Sequence, residues 1–176
     1  MSGTGQRPTI RPLEPGDIPA ALAIQAQAYP AFLREDEAAF ASRIAMKASY
    51  CLAATRDGQL VAYLLAHGWL SLAPPPVGTI LPAEAPSEIL FIHDLAVSPE
   101  GRGSGIGRDL VARAFELAAR DGLHPAELIA VEGAKPYWTS LGFEPVDCSA
   151  ELAAKVAAYG PQACLMKRVF GSVRSN

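Results

Sequence analysis

Asp94-Leu-Ala-Val-Ser-Pro-Glu-Gly-Arg-Gly-Ser-Gly-Ile-Gly107 is the stretch whose reading decides the fold of this chain. The residues that lead into it, Ile89-Leu-Phe-Ile-His-Asp-Leu-Ala-Val97, are apolar on both faces and include β-branched and aromatic members, the pattern of a buried strand. Ser98-Pro99 breaks that strand. Four glycines follow, at 101, 103, 105 and 107, around Arg102 and Ser104. The period then changes: Ile106, Leu110, Ala114 and Leu117, flanked by Val111 and Ala118, recur at helical spacing. A buried strand therefore feeds a glycine loop that opens a helix of about four turns. The N–H groups at a helix start lack partners inside the helix and sit at the positive end of its dipole, and glycine lets an anion approach them closely. The loop reads as a phosphate cradle with Arg102 as a fixed charge. The plainer alternative is a glycine loop that only turns the chain.

A dinucleotide fingerprint, G-x-G-x-x-G, fails here. Counted from Gly103 its last glycine falls on Arg108, and counted from Gly101 it falls on Ile106. A Walker loop needs G-K-[ST] after its last glycine, and that is absent. What fits is R-x-x-G-x-G, read as Arg102-Gly103-Ser104-Gly105-Ile106-Gly107 behind a Val-x-Pro turn. It resembles the pyrophosphate loop of the GCN5-related N-acetyltransferase (GNAT) family. Ala134-Lys-Pro-Tyr-Trp-Thr-Ser-Leu-Gly-Phe143 resembles the family's second signature, A-x-x-[FY]-[YW]-x-x-x-G-F. Arg11-Pro-Leu with Asp17 resembles its opening, and Ala163 to Val169 with Met166 its closing strand.

The resemblance runs over residues 8–170 and implies an α/β fold of mixed α+β character. In the acyl-CoA N-acyltransferase fold a central mixed sheet carries helices on both faces and is splayed between strands 4 and 5. The strand ending at Val97 would be the fourth, and Ala126 to Val131 the fifth. Acetyl-coenzyme A is the implied co-substrate, its pantetheine in the V. Leu95, Ala96 and Val97 would line the thioester, and Arg102, Gly103, Ser104, Gly105, Ile106, Gly107 and Arg108 the diphosphate. Trp138 would pack beside the pantetheine.

Composition bounds the alternatives. At 176 residues, half of them hydrophobic, the chain suits one globular domain with a full core. Its net charge of −3 and lack of a long basic run argue against nucleic acid and anionic membrane as partners. No apolar run reaches the length of a membrane span. Residues 1–7 read as a loose tail without the apolar core of a signal peptide, and 171–176 as a C-terminal tail. Cys51, Cys148 and Cys164 are odd in number and widely spaced, with no metal or redox motif, so reduced thiols in a cytoplasmic protein are expected. A homodimer is left open.

Along the chain, Thr9 to Leu13 reads as a strand, Asp17 as the N-cap of a helix on Ile18, Ala21, Leu22 and Ala28, and Glu35 to Lys47 as a second helix. Tyr50–Thr55 and Leu60–His67 flank an Asp57-Gly58 turn, a hairpin signal. Residues 68–87 lose periodicity and carry five prolines, either a solvated excursion or the rim of a substrate pocket. Ala134–Leu141 and Glu151–Tyr159 read as helices, and Phe143–Cys148 and Ala163–Phe170 as strands.

Acyl transfer to an amine needs a proton acceptor, a donor for the oxyanion and, for the departing thiolate, an acid. The resemblance puts the donor on the backbone near Leu95 to Val97. His93 is the candidate base, with an unperturbed pKa of about 6.5; the alternative is a half-buried structural histidine. Strand alternation puts Phe91, His93 and Leu95 on one face and Asp94 on the other, unless a bulge intervenes. Asp94 reads as structural, and Glu88 as a weaker base through water. Family members often place a tyrosine, proposed as the acid, where this chain has Trp138, whose indole donates but is no acid. Tyr137, about 100° away around the helix, is the candidate acid. The family's frequent asparagine is replaced by Val131-Glu-Gly. His67 and His124 read as surface histidines, and Glu35-Asp36-Glu37 either as helix-start charges facing water or as an attractant for a cationic amine.

Three function classes follow: an N-acetyltransferase acting on a small-molecule primary amine, a non-catalytic acyl-CoA binder or regulator, and a nucleotide-binding module. The failed fingerprints weigh against the third.

Overall fold

In the computed structural model, which describes residues 6–170, the Asp57-Gly58 pair makes the expected two-residue turn, with φ of 52° and 75°. A left-handed pair of this kind matches the twist of the strands it joins. It links β2 (Leu52–Arg56) to β3 (Gln59–Trp69), and β1 (Thr9–Pro12) adds to the free edge of β2. On its other edge β3 pairs with β4 (Ile89–Val97), also antiparallel. Among the described residues, the one parallel pair is β4 with β5 (Pro125–Ala130). It requires a crossover, which α3 (Ile106–Arg120) supplies directly after the glycine loop. β7 (Cys164–Val169) and β6 (Glu144–Pro145) complete a seven-stranded sheet of order β1-β2-β3-β4-β5-β7-β6.

Two apolar layers cover the sheet. One face packs Tyr63, Leu65 and Ala96 against Ile18, Ala21 and Ile24 of α1 (Ile18–Ala28) and Phe40 of α2 (Glu37–Ala45). The other packs Leu64, Ala66, Leu90 and Ile92 against Ile106, Leu110, Val111, Ala114 and Phe115 of α3, the face that its sequence period assigned to the core. Truncating Leu110, which is fully buried, to alanine removes about 2–5 kcal/mol of stability. α4 (Lys135–Ser140) brings Trp138 into the same layer, and α5 (Ala150–Ala157) packs Leu152 and Val156 on Leu165 of β7.

The mixed α/β class is as expected, and several boundaries move. The expected strand from Phe143 to Cys148 shortens to two residues at the sheet edge. Asp17 makes no cap bond to α1; its carboxylate takes both Arg11 guanidinium nitrogens, at 2.7 and 2.8 Å, and the Glu14 N–H. The guanidinium bond holds the Asp17 carboxyl below its ordinary range. Residues 1–5 of the expected N-terminal tail (1–7) and the expected tail at 171–176 lie outside the described residues. No described helix is long and apolar enough to cross a membrane.

Candidate functional site

The site begins where the sheet comes apart. β4 and β5 are paired only from Leu90–Ala126 to Ile92–Leu128. Beyond Ile92 the two strands separate, which leaves the β5-facing edge of residues 93–97 without a strand. Ser98 donates its N–H to Val61 on β3, at 2.8 Å. Backbone groups alternate edges along an antiparallel strand, so Ala96 faces β3, while Leu95 and Val97 turn theirs into the opening. The Leu95 carbonyl there accepts the Tyr29 hydroxyl at 2.8 Å. A cavity of about 170 Å³ occupies the opening, walled by Leu33, Val77, Phe91, Leu95, Leu128 and Ile129, with His93, Asp94, Tyr29, Tyr137, Trp138 and Tyr159 as its polar groups.

A β-bulge sets the polar side of this cavity. Leu65 pairs with Asp94 and Ala66 with Ile92, so His93 is the extra residue. The strand loses one step of alternation. Ile92 and Leu95 therefore both pack on the α3 side. His93 and Asp94 both turn to the α1–α2 side, where Glu35 and Tyr63 meet them. Regular alternation, which grouped His93 with Leu95 and sent Asp94 to the opposite face, is thus corrected.

His93 Nε2 lies 2.5 Å from Glu35 Oε1, and both side chains are almost fully buried. Arg43 Nη2 lies 3.3 Å from the same oxygen, and Gly78 donates its N–H to Glu35 Oε2 at 2.7 Å. Gln25 brackets the Glu35 backbone, donating to its carbonyl and accepting its N–H, each at 2.9 Å. Burial works against ionisation of Glu35, but the His93 bond, the charges of His93 and Arg43 and the Gly78 N–H outweigh it and keep its pKa below the ordinary value. Burial holds His93 below its ordinary 6.5; the Glu35 bond opposes this and the Arg43 charge adds to it. An ionised Glu35 can only accept, so the proton of the neutral imidazole is assigned to Nε2. Nδ1 keeps its lone pair and has no hydrogen-bond partner. Asp94 accepts the Tyr63 hydroxyl. Burial raises the Asp94 pKa and, with Asp94 beside them, raises those of Tyr63 and Tyr29 well above 10.0.

The glycine loop leaves backbone N–H groups without partners at the start of α3. Gly103 and Gly105 have φ of 80° and 73°, and a Cβ on either would meet nothing within 4 Å, so both open onto free space. Gly105 caps α3 with no side-chain bond, which leaves the first-turn N–H groups, from Ile106 to Arg108, without partners inside the helix. Ser104 turns inward, its hydroxyl on the Gly101 carbonyl at 2.6 Å, while Arg102 and Arg108 are exposed. At Gly107 a Cβ would come 2.8 Å from the Tyr137 hydroxyl and 3.6 Å from Leu95 Cδ2. Cradle and cavity therefore meet at α4. Unpartnered N–H groups at a helix start suit an anion, and apolar walls suit an apolar arm. Trp138 is buried, edge-on to Phe143 with centroids 5.5 Å apart, whereas Tyr137 is 40% exposed. Burial raises the Tyr137 pKa, and Arg108 partly opposes it.

The model of the Acetyltransferase (GNAT) family matches residues 18–143. The chain belongs to the GNAT family. An uncharacterised N-acetyltransferase of Methanocaldococcus jannaschii is 42% identical over 60 residues, which cover 32% of this chain and 26% of that protein. The matched stretch is thus about a quarter of the relative's length. Ard1 from Thermoplasma volcanium superposes with a TM-score of 0.71 at 15% identity, covering 94% of this chain and 99% of that one. Rv2747 from Mycobacterium tuberculosis, solved with CoA, superposes at 0.67 and 17% identity, covering 93% and 100%. The GNAT co-substrate is acetyl-CoA, as the sequence resemblance implied.

Within this GNAT chain several polar residues take places that the sequence reading did not foresee. Glu35 is buried, not a helix-start charge in water; Asp36 is the N-cap of α2, accepting from Ala39 N at 2.8 Å. His67 is fully buried, with Nδ1 3.0 Å from the Gly68 carbonyl, and burial lowers its pKa to about 3. Glu88 is exposed, accepts the Ser71 N–H at 3.1 Å and does not line the cavity, which removes it as a base through water. His124 lies partly buried against the Phe170 carbonyl at 3.2 Å. The proline segment is no loose excursion. Buried Glu127 of β5 takes Ser71 Oγ and the Leu72 N–H, Glu35 takes Gly78, and Tyr159 donates to the Pro75 carbonyl, so that Val77 reaches the cavity wall. Arg43 and Tyr159 also escaped notice. One signal for Arg43 was present: it stands three and four residues after Phe40 and Ala39, on the apolar face of α2.

Proposed function

We propose that this chain transfers the acetyl group of acetyl-CoA to a primary amine of a small-molecule acceptor, with His93 as the base. One observation carries the reading: the buried imidazole of His93 lines the cavity between the parted strands, and its Nδ1, itself buried, has no hydrogen-bond partner. The diphosphate rests on the N–H groups from Gly105 to Arg108, with Arg102 as counter-charge, and the pantetheine arm runs past Trp138 into the V. Val97 and Leu95 N–H groups, free of β5, are the donors for the oxyanion. The amine nitrogen attacks the thioester carbon and its surplus proton passes to His93 Nδ1, directly or through one water. The C–S bond then breaks and the thiolate takes a proton, from the imidazolium or from Tyr137. The CoA bound to the Rv2747 neighbour supports the cradle assignment.

A non-catalytic acyl-CoA binder is the competing reading. Trp138 at the usual tyrosine position favours it. Thiol release from acetyl-CoA against a panel of amino acids, polyamines, aminoglycosides and short peptides separates the two: the enzyme releases thiol with some amines only, the binder with none.

A further inference from the structure

Four parts of the fold converge on one carboxylate. Gln25 of α1 fixes the Glu35 main chain with two hydrogen bonds, Arg43 of α2 supplies a counter-charge, Gly78 of the proline segment supplies an N–H, and the β4 bulge supplies His93. Neutralising Arg43 requires none of the other three. The bulge delivers Nε2 to Glu35 Oε1 at 2.5 Å and leaves Nδ1 without a partner. An acid that accepts one imidazole N–H dictates which nitrogen is left to accept a proton.

We propose that Glu35 is the positioning residue for His93: it holds the imidazole in the Nε2–H tautomer, so that Nδ1 is the nitrogen left to accept the proton, and it stabilises the imidazolium formed when that proton arrives. This rests on the reading of His93 as the base. The balance is simple. The acceptor nitrogen loses one proton and Nδ1 gains it, Nε2 keeps its own, and Glu35 stays ionised throughout. The charged and titratable groups around His93 are Glu35, Arg43 of α2, Asp94 beside it on β4, His67 on β3, and Tyr29 and Tyr159 across the cavity. Of these, Glu35 and Asp94 favour the imidazolium and Arg43 opposes it. Loss of the Glu35 charge therefore weakens the base and moves its titration to lower pH.

The first test needs no acceptor. The chain has three histidines, so long-range ¹H–¹⁵N imidazole spectra at neutral pH resolve each ring, and the signal lost in His93→Gln identifies His93. The expected spectrum shows Nε2 protonated and Nδ1 bare. A bare Nε2, or an imidazolium at neutral pH, overturns the proposal. The second test is kinetic. Glu35→Gln keeps shape but not charge; kcat falls about 100-fold, the low end of what a general base contributes, the acidic limb moves to lower pH, and KM for acetyl-CoA holds. Glu35→Asp restores part of the rate. Because Glu35→Gln strands the Arg43 charge, the same comparison is made in an Arg43→Met background, whose fold is checked by circular dichroism. An unmoved limb and unchanged kcat in Glu35→Gln overturn the proposal even if His93→Gln abolishes the limb. A limb that survives His93→Gln overturns instead the reading of His93 as base, whatever the tautomer.

Discussion

The Tyr137 hydroxyl stands 2.8 Å from the point that a Cβ on Gly107 would occupy, so the first turn of α3 and the start of α4 meet with no room between them. This contact places the one phenol of α4 at the junction of cradle and cavity. Tyr137 is 40% exposed and can swing away, so Gly107→Ala should cost little stability while displacing the hydroxyl. If Tyr137 protonates the thiolate, Gly107→Ala and Tyr137→Phe should each lower kcat, Tyr137→Phe by about 100-fold, and remove the alkaline limb of the rate profile. Trp138→Phe should keep most of kcat and lower the melting temperature, because Trp138 packs on Phe143. An intact alkaline limb in Tyr137→Phe excludes tyrosine as the acid.

Binding of CoA should depend on the loop rather than on the fold in general. Gly105→Val puts a branched side chain at φ 73° in the space the diphosphate needs, at about 1–2 kcal/mol of backbone strain. Gly58→Ala, at φ 75° in the β2–β3 hairpin, carries left-handed strain far from the loop and is the control. Calorimetry should show CoA binding lost in Gly105→Val, unchanged in Gly58→Ala, and weakened by about 1.5–3 kcal/mol in Arg102→Ala. Unchanged affinity in Gly105→Val contradicts the cradle.

The glycine loop between strand and helix, and the hairpin, were legible in the sequence because each depends on local rules. Glycine spacing, an Asp-Gly pair and a change of period from strand to helix are all written in neighbouring residues. The polar interior was not, because it depends on contacts between residues far apart. Glu35 looks like helix-start charge until Arg43, Gln25 and His93 are seen to surround it. His93 and Asp94 alternate on paper, and only the pairing of Leu65 and Ala66 shows the bulge that sets them side by side. His67 follows the alternation of β3 into a layer made by Trp69 and Phe91, which no local pattern specifies. β6 lost most of its expected length because an edge strand at the end of a sheet needs few pairs.

The Arg43–Glu35 pair makes a stability prediction. Both side chains are buried, and removing one partner leaves the other charge in the interior without its counter-charge, at up to about 3–5 kcal/mol. Arg43→Met and Glu35→Gln should each lower urea stability by that order. The double variant should lose much less than the sum of the two. Additive losses would show that the two charges do not interact.

His67 predicts acid sensitivity. Burial lowers its folded pKa to about 3 from 6.5. The unfolded chain therefore binds a proton, and the folded chain does not, between these values. Stability is fully present above about 6.5 and is lost progressively as pH falls toward 3. Urea midpoints at pH 7.5 and 5 should differ less in His67→Leu than in the wild type. An identical difference in both proteins removes His67 from the acid response.

The most direct measurement is the pH dependence of kcat/KM for the acceptor with acetyl-CoA saturating, compared between the wild type and His93→Gln. Burial sets the His93 pKa below 6.5, against the pull of Glu35. With neutral His93 as the proposed base, the rate should rise with pH through a limb below 6.5. His93→Gln keeps a polar side chain that cannot take the proton; it should lose that limb and about 10²–10⁴ in rate, with CoA affinity little changed. A variant that turns over at near-normal rate and keeps the acidic limb would contradict His93 as the base.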